Sequence, residues 1–245
     1  MLNESRTILL TGGTEGIGYA LFEQLHRQGH KLIVVARNKE KLSQLQSSYD
    51  HVTTYRCDLS SRIALESLCN NISHNHPDLS IIINNAGIQY TPTFIDDDFS
   101  FDSIEHETRV NFLAPVWLSS LLLPTLIDNK ETTAIVNISS GLVFAPKTNS
   151  AIYCATKAAI HSFSQSLRYQ LSESRVKVIE AIMPLVDTAM TAGRGEGKIS
   201  PASAAQQIIN GINRGHAEVY VGKARLLPLL MRVSPSLVKK IMKRY

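Results

Sequence analysis

The chain has 245 residues, 44% of them hydrophobic, enough to bury the core of one α/β domain. Its three cysteines, Cys57, Cys69 and Cys154, form no C-x-x-C pair, and their odd number argues against a disulfide framework or a zinc site. The net charge of +4 is concentrated in residues 222–245, which hold seven Lys/Arg and no acid; the body is left slightly acidic, and nothing beyond that tail supports nucleic-acid binding.

Met1 to Arg6 lack a basic stretch followed by an apolar one, so no secretory signal is expected and a cytoplasmic location is. The apolar run Thr7–Leu10 predicts a strand. The turn Thr11-Gly-Gly-Thr-Glu-Gly-Ile-Gly18 follows it, and a helical pattern runs over 17–28. Strand, glycine turn and helix form the context of a dinucleotide site. Gly12 permits the tight turn, Gly16 lets backbone approach a pyrophosphate, and Gly18 allows close helix–strand packing. Further strands are predicted at Lys31–Ala36, Val52–Arg56, Ser80–Ile83, Ala134–Ile138, Val176–Ile182 and Glu218–Val221. Helix patterns fall at 39–48, 61–73, 102–127, 151–172 and 202–213. Strands alternating with helices imply βαβ units, hence a Rossmann-type doubly wound parallel sheet of about seven strands in one α/β domain. We place that catalytic domain at residues 1–225 and a C-terminal extension at 226–245. The uncharged run Val110 to Ile127 approaches the length of a membrane span, but it contains Asn111, Pro115 and Pro124 and reads as a buried helix at the core or a subunit interface.

Ligands in such sheets bind outside the carboxyl ends of the strands. The glycine turn, Arg37, Asp58, Asn84–Gly87, Ser140 and Pro184 all follow strand ends and therefore share one edge. Tyr153 and Lys157 lie four apart on one helical face, which predicts an ammonium beside a phenol, lowering the phenol pKa from its ordinary value of about 10. Ser140, at the end of an apolar strand, offers a hydroxyl to a substrate carbonyl; Ser139 is the competing serine. At the end of the second predicted strand there is no acid at Ala36, and Arg37 suits a 2′-phosphate, so NADP(H) is favoured and NAD(H) is the alternative. Glu15 dissents, since its charge would repel such a phosphate. The acids Asp96, Asp97, Asp98, Asp102, Glu105 and Glu107 suit a helix start, the eight histidines show no ligand spacing, and no metal is expected; His161 reads as packing. Cys154 reads as a small helix residue rather than a nucleophile.

The order of these motifs resembles that of the short-chain dehydrogenase/reductase family. The resemblance rests on Thr11, Gly12, Gly16 and Gly18, on Asn84-Asn-Ala-Gly87, Asn111, Ser140, Tyr153 and Lys157, and on Pro184 to Thr188, and it covers about residues 5–222. Asn84–Gln89, Tyr153–Ala159 and Pro184–Thr188 look most like the DltE-like bacterial branch. The resemblance implies reversible hydride transfer between a nicotinamide and a small carbonyl or alcohol substrate. Tyr153 would be the general acid/base, Lys157 its partner, Ser140 the carbonyl-orienting group, and Asn111 the holder of a backbone kink and a water. It implies cofactor contacts at Gly12, Thr14, Gly16, Ile17, Gly18, Arg37, Asp58, Leu59, Asn85, Ala86, Gly87, Tyr153, Lys157, Val186 and Thr188, and a homodimer or homotetramer. Asp58 would accept from the adenine amino group, or else simply form a turn with the residues after it. The segment after Pro184 reads one residue shorter than the family pattern, which loosens the assignment of Val186 and Thr188. A cofactor-holding redox sensor without turnover is the competing reading.

Ala189–Ser200, with Gly193, Gly195 and Gly197, suits a mobile lid, and Tyr90, Leu142 and Phe144 are candidates for an apolar pocket or for core. From Pro235 onward Leu237, Val238, Ile241 and Met242 share a helical face flanked by Lys239, Lys240, Lys243 and Arg244. A basic amphipathic helix of this kind suits peripheral membrane contact or partner docking; packing on the body or on another subunit is the equal alternative.

Overall fold

The computed structural model describes residues 1–243; Arg244, one of the cations in the predicted tail helix, lies outside them. The strands are β1 (Thr7–Thr11), β2 (Lys31–Ala36), β3 (Val52–Arg56), β4 (Leu79–Asn84), β5 (Thr133–Ser140), β6 (Val176–Met183) and β7 (Glu218–Tyr220). The helices are α1 (Gly16–Arg27), α2 (Lys39–Ser48), α3 (Arg62–Asn75), α4 (Phe101–Thr108), α5 (Ala114–Asp128), α6 (Ala151–Gln170), α7 (Pro201–Arg214), α8 (Leu227–Val233) and α9 (Pro235–Met242). The strands form one sheet in the order β3-β2-β1-β4-β5-β6-β7, with every pairing parallel.

Successive strand residues point to opposite faces, and both faces are covered. Ile8 and Leu10 enter one core with Leu21, Phe22 and Leu25 of α1 and Ile208 and Ile212 of α7. Leu9, between them, enters the other with Leu68 and Ile72 of α3 and Leu118 and Leu122 of α5. Burial on both faces is why these strands read as continuous apolar runs rather than alternating ones. The strand order reverses between β1 and β4, which opens a crevice at their carboxyl ends.

The glycine turn lies at that crevice. Gly12 adopts φ +67°, a conformation that side chains other than glycine rarely take. A Cβ on Gly18 would lie 2.0 Å from the Gly12 carbonyl oxygen, so α1 approaches β1 only because that position is bare.

One predicted helix is interrupted. The stretch expected as a single helix over 102–127 is α4, a π-helical turn at Arg109–Leu113, and α5. Asn111, buried at the centre of that turn, donates from Nδ2 to the Ile88 carbonyl at 2.8 Å and accepts the Ile88 N–H on Oδ1 at 2.9 Å. A side chain that takes both polar groups of a neighbouring segment fixes the widened turn at this point, as such bulges often are at functional positions. The 28 residues Phe101–Asp128 are long and apolar enough to cross a membrane by composition. In the fold, Leu118, Leu122 and Leu126 are fully buried in the core, while Leu121 and Ile127 are exposed.

The tail folds onto the domain. Val238 is buried, and both the backbone N–H and the hydroxyl of Thr148 donate to the Lys243 carbonyl, at 3.2 and 2.9 Å. The apolar face expected for α9 is divided: Val238 turns inward, whereas Leu237 and Ile241 are about half exposed. The sequence pattern treated these residues as one stripe because 3.6-residue periodicity does not say which edge of a stripe meets the body.

Candidate active site

A cleft of about 730 Å³ runs along the carboxyl ends of the strands. Gly12, Thr14, Gly16, Ile17, Gly18, Arg37, Asp58, Leu59, Asn85, Ala86, Gly87, Ser140, Tyr153, Lys157, Val186 and Thr188 all line it. Asn111 does not line it; it stands behind the wall, where it also reaches the Thr156 hydroxyl on α6 at 3.3 Å.

Buried polar contacts lock the parts together. The Thr11 hydroxyl accepts the N–H groups of Asn85 and Ala86, each at 3.0 Å, and Asn85 Nδ2 donates to the carbonyls of Thr11 and Gly12 at 3.0 and 3.2 Å. These bonds tie the β4 end to the glycine turn. Asn84 donates to Asn137 at 2.8 Å, Asn137 to Ser164 at 2.9 Å, and Ser164 to the Ile160 carbonyl at 2.7 Å. That ladder joins β4, β5 and α6, so the helix carrying Tyr153 and Lys157 is held in register with the sheet. Polar groups buried this deeply are stabilising only when paired.

Ser139 and Ser140 follow one another in β5 and diverge. Both line the cleft, but Ser139 is buried and commits its hydroxyl to Glu180. Ser140 faces the cleft, and its Oγ accepts the Leu142 N–H at 3.2 Å. Lys157 is buried, donates to the Ile138 carbonyl at 2.8 Å, and lies 5.7 Å from the Tyr153 ring centroid, within cation–π range.

The electrostatics correct one expectation. Tyr153 is not lowered by Lys157. Although part of its surface remains exposed, close packing pushes the phenol above its ordinary range, and Cys154 and Glu107 push it further the same way. The cation that opposes them is Arg194. Burial likewise pushes Lys157 down to about 8, against the attraction of Glu180 and Glu107. Desolvation therefore dominates both groups.

Glu107 is a site feature that the sequence reading passed over as a helix-start acid. It is fully buried, accepts the Tyr90 N–H at 3.2 Å, and burial raises its carboxyl to about 7 despite that bond and the Lys157 charge. A raised carboxyl holds its proton more tightly in the folded than in the unfolded chain, so its stabilising effect is complete below about 4.5 and is lost as pH rises through 7. Glu107→Gln keeps an acceptor for Tyr90 and removes the titration. The variant is expected to melt with the wild type at pH 5 and a few degrees above it at pH 8, since each kcal/mol moves Tm by about 2–4 °C in a chain of this size. Calorimetric scans giving the same difference at both pH values would contradict this.

His161 is also more than packing. Its Nδ1 pairs with buried Glu180 at 2.7 Å, which raises the imidazole pKa. His161, Glu180 and Glu218 bring potential ligand atoms within 4.8 Å of one another, although Glu180 is already committed to Ser139 and His161. Phe144 stacks with Tyr220 and meets His161 edge-on, and the Tyr90 hydroxyl contacts His106; of the three candidate pocket residues, Leu142 lines the cleft. Cys154 is buried with its thiol pKa raised, a poor setting for a nucleophile. The sequence reading missed Asn38, Gln89, Lys147, Arg194, Leu227 and Met242, all in the cleft wall. Lys147 and Arg194 sit in loops directly after Ser140 and Thr188, and their charge in otherwise uncharged or glycine-rich stretches was the available signal.

At the other end, Arg37 is exposed and makes no ion pair among the described residues. Glu15, the dissenting acid, is paired with Lys41. Asp58 Oδ1 accepts the Ser60 N–H and hydroxyl at 3.0 and 2.8 Å, so this carboxylate shapes the turn as well as lining the cleft. The positive-φ glycines, the α1 N-terminus and the unpaired Arg37 fit a dinucleotide with an extra phosphate.

The family model for short chain dehydrogenase matches residues 6–198. An uncharacterized oxidoreductase DltE of Bacillus subtilis (strain 168) is 35% identical over 221 residues, covering 88% of this chain and 87% of the relative. An uncharacterized oxidoreductase of Staphylococcus aureus (strain USA300) is 30% identical, covering 83% and 89%. Among solved structures, a short chain dehydrogenase of Burkholderia cenocepacia J2315 in complex with NADP superposes with TM-score 0.88 at 23% identity over 99% of both chains. One of Sphingobium yanoikuyae in complex with NADPH gives 0.82 at 27% over 95% of both, and one of Burkholderia phymatum in complex with NAD gives 0.85 at 17% over 100% and 98%.

Proposed function

The chain belongs to the short-chain dehydrogenase family, and on that premise we propose that it reduces a small carbonyl compound, or oxidises the corresponding alcohol, with NADP(H) in preference to NAD(H). The observation that carries the reading is the convergence of Ser140, Tyr153 and Lys157 in the same cleft as the glycine cradle and Arg37. The nicotinamide supplies or accepts the hydride. Ser140 orients the carbonyl by hydrogen bonding, and Tyr153 gives its phenolic proton to the carbonyl oxygen. Lys157, anchored by Ile138, holds the Tyr153 face of the site and would hold the nicotinamide ribose. Asn111 positions Ile88 and α6 rather than touching the substrate. Arg37 takes the 2′-phosphate. Both nucleotides occur among the similar structures, so the preference rests on Arg37 and on the tying of Glu15 to Lys41.

Cofactor oxidation with a panel of ketones and aldehydes, run with NADPH and with NADH, tests this. At least one carbonyl should be reduced, faster with NADPH. Tight cofactor binding with no turnover across the panel would favour the redox-sensor reading instead.

The tail carries a second expectation. Leu229, Val233, Leu237 and Ile241 are exposed, and Arg232, Lys239, Lys240 and Lys243 stand among them with no acid nearby in the chain. This outer face suits the surface of an anionic membrane, because buried apolar area and cationic attraction add there. A triple variant, Leu229→Ser, Leu237→Ser and Ile241→Ser, leaves the inward Val238 and Met242 in place. It should reduce sedimentation with phosphatidylserine vesicles at low salt several-fold without altering solution mass. A mass that falls on substitution would identify a second copy of the chain, a homodimer or homotetramer contact, as the occupant.

A further inference from the structure

The cleft wall is charged asymmetrically. Its acids, Glu15 and Asp58, follow β1 and β3, at the end where Arg37 stands. Beyond Tyr153 the wall carries Lys147, Arg194 and Lys223, which follow β5, β6 and β7, and no acid. Arg37 follows β2, three strand spacings from β5 and so roughly 15 Å away at ~4.8 Å per strand, which separates the two basic ends.

These three cations make no ion pair among the described residues, although a neighbouring lysine of the same lid, Lys198, is paired with Asp187. Lys147 and Arg194 are both half-buried. Arg194 donates one bond, to Gln89 Oε1, which leaves the rest of its guanidinium fork unused among the described residues. Burial and the Arg194 charge together push the Lys147 ammonium below its ordinary range, and the same Arg194 charge acts on Tyr153. Two like charges thus face one partly desolvated space beside the proton donor. Glu107 does not relieve them; it lies outside this cleft wall, bonded to Tyr90. An arrangement of this kind is costly without an anion and favourable with one, and an arginine fork matches a carboxylate or phosphate geometrically.

We propose that Lys147 and Arg194 form an anion-binding subsite, and that the carbonyl substrate of this enzyme bears a carboxylate or phosphate group at the end remote from the reacting carbon. This deepens the carbonyl-reduction reading and rests on it. Arg194 lies in the glycine-rich segment, whose Gly193, Gly195 and Gly197 all adopt positive φ, and its bond to Gln89 already holds that segment against the cleft. The role of Arg194 is specificity and positioning; Tyr153 remains the proton donor.

The test compares 4-acetylbenzoate, its methyl ester and 4-acetylphenyl phosphate, each titrated calorimetrically into the cofactor-loaded protein, with reduction followed in parallel. The acid or the phosphate should bind at least ten-fold more tightly than the ester. Arg194→Gln and Lys147→Gln should each cost that anion five-fold or more in affinity without weakening the ester or the cofactor, and without lowering the melting temperature of the anion-free protein, since each removes one of two repelling charges. The carboxylate and phosphate arms tell the two anions apart. Equal binding of ester and anions, binding of none of the three, or variants that bind the anion as the wild type does would overturn the subsite. Tight anion binding without reduction of any of the three would instead count against the carbonyl reading and leave the subsite standing.

Discussion

Tyr153→Phe is expected to lower carbonyl reduction by at least ~10²-fold, the lower end of what general acid–base catalysis supplies, with cofactor affinity retained. The phenylalanine keeps the ring over which Lys157 sits and removes only the proton-bearing oxygen. Steady-state turnover and a cofactor titration measure the two halves of the claim, and a variant keeping more than a few per cent of wild-type kcat would place the proton elsewhere. The raised Tyr153 pKa adds a direction to the result. Through the neutral range the phenol is protonated, so reduction has its donor ready. Alcohol oxidation must first lose that proton, and its rate should climb with pH across the range in which reduction stays flat. A common pH profile for both directions would show that the phenol is not the titrating group.

Arg37→Ala is expected to erase most of the preference for NADPH over NADH, a loss of about one to two orders of magnitude. A hydrogen bond to a charged group contributes about 1.5–3 kcal/mol, and Arg37 forms no ion pair among the described residues; its charge only adds to the Ser60 hydrogen bonds that hold the Asp58 carboxyl low. Lys41→Ala is the control. It releases the Glu15 carboxylate from its ion pair at the mouth of the cleft, and NADPH should weaken there while NADH is spared. Dissociation constants for both nucleotides decide the matter. An unchanged ratio in the Arg37 variant would assign discrimination to another group.

Most of the fold was legible because its signals are local. The expected strands Lys31–Ala36 and Val52–Arg56 and the helix over 39–48 coincide with β2, β3 and α2, each an apolar or amphipathic run bounded by turn residues. The rest depended on contacts between distant segments. Asn111 opens a π-helical turn because Ile88, twenty-three residues away, occupies its side chain, and no periodicity within 102–127 records that. Glu107 looked like a helix-start acid and Glu180 drew no reading within its predicted strand; the fold is what brings both to bear on Lys157. Helical spacing put Lys157 beside Tyr153, but the sign of the resulting shift depended on how dry the site is, which no spacing can report. Lys147 and Arg194 share one cleft wall only because loops after neighbouring strands converge.

The cleft is also written along the chain nearly in the order in which a bound molecule would traverse it. Residues 12–59 line the end proposed for the adenosine, residues 85–188 the part that holds Ser140, Tyr153 and Lys157, and Met190, Arg194, Lys223, Leu227 and Met242 the far wall, with only the loop after β5 out of sequence. Exchanging everything beyond Thr188 would reach the nucleotide half as well, because Ile208 and Ile212 of α7 share a core with Leu21, Phe22 and Leu25 of α1, so a new far wall has to keep that apolar face for the glycine turn to stay in place.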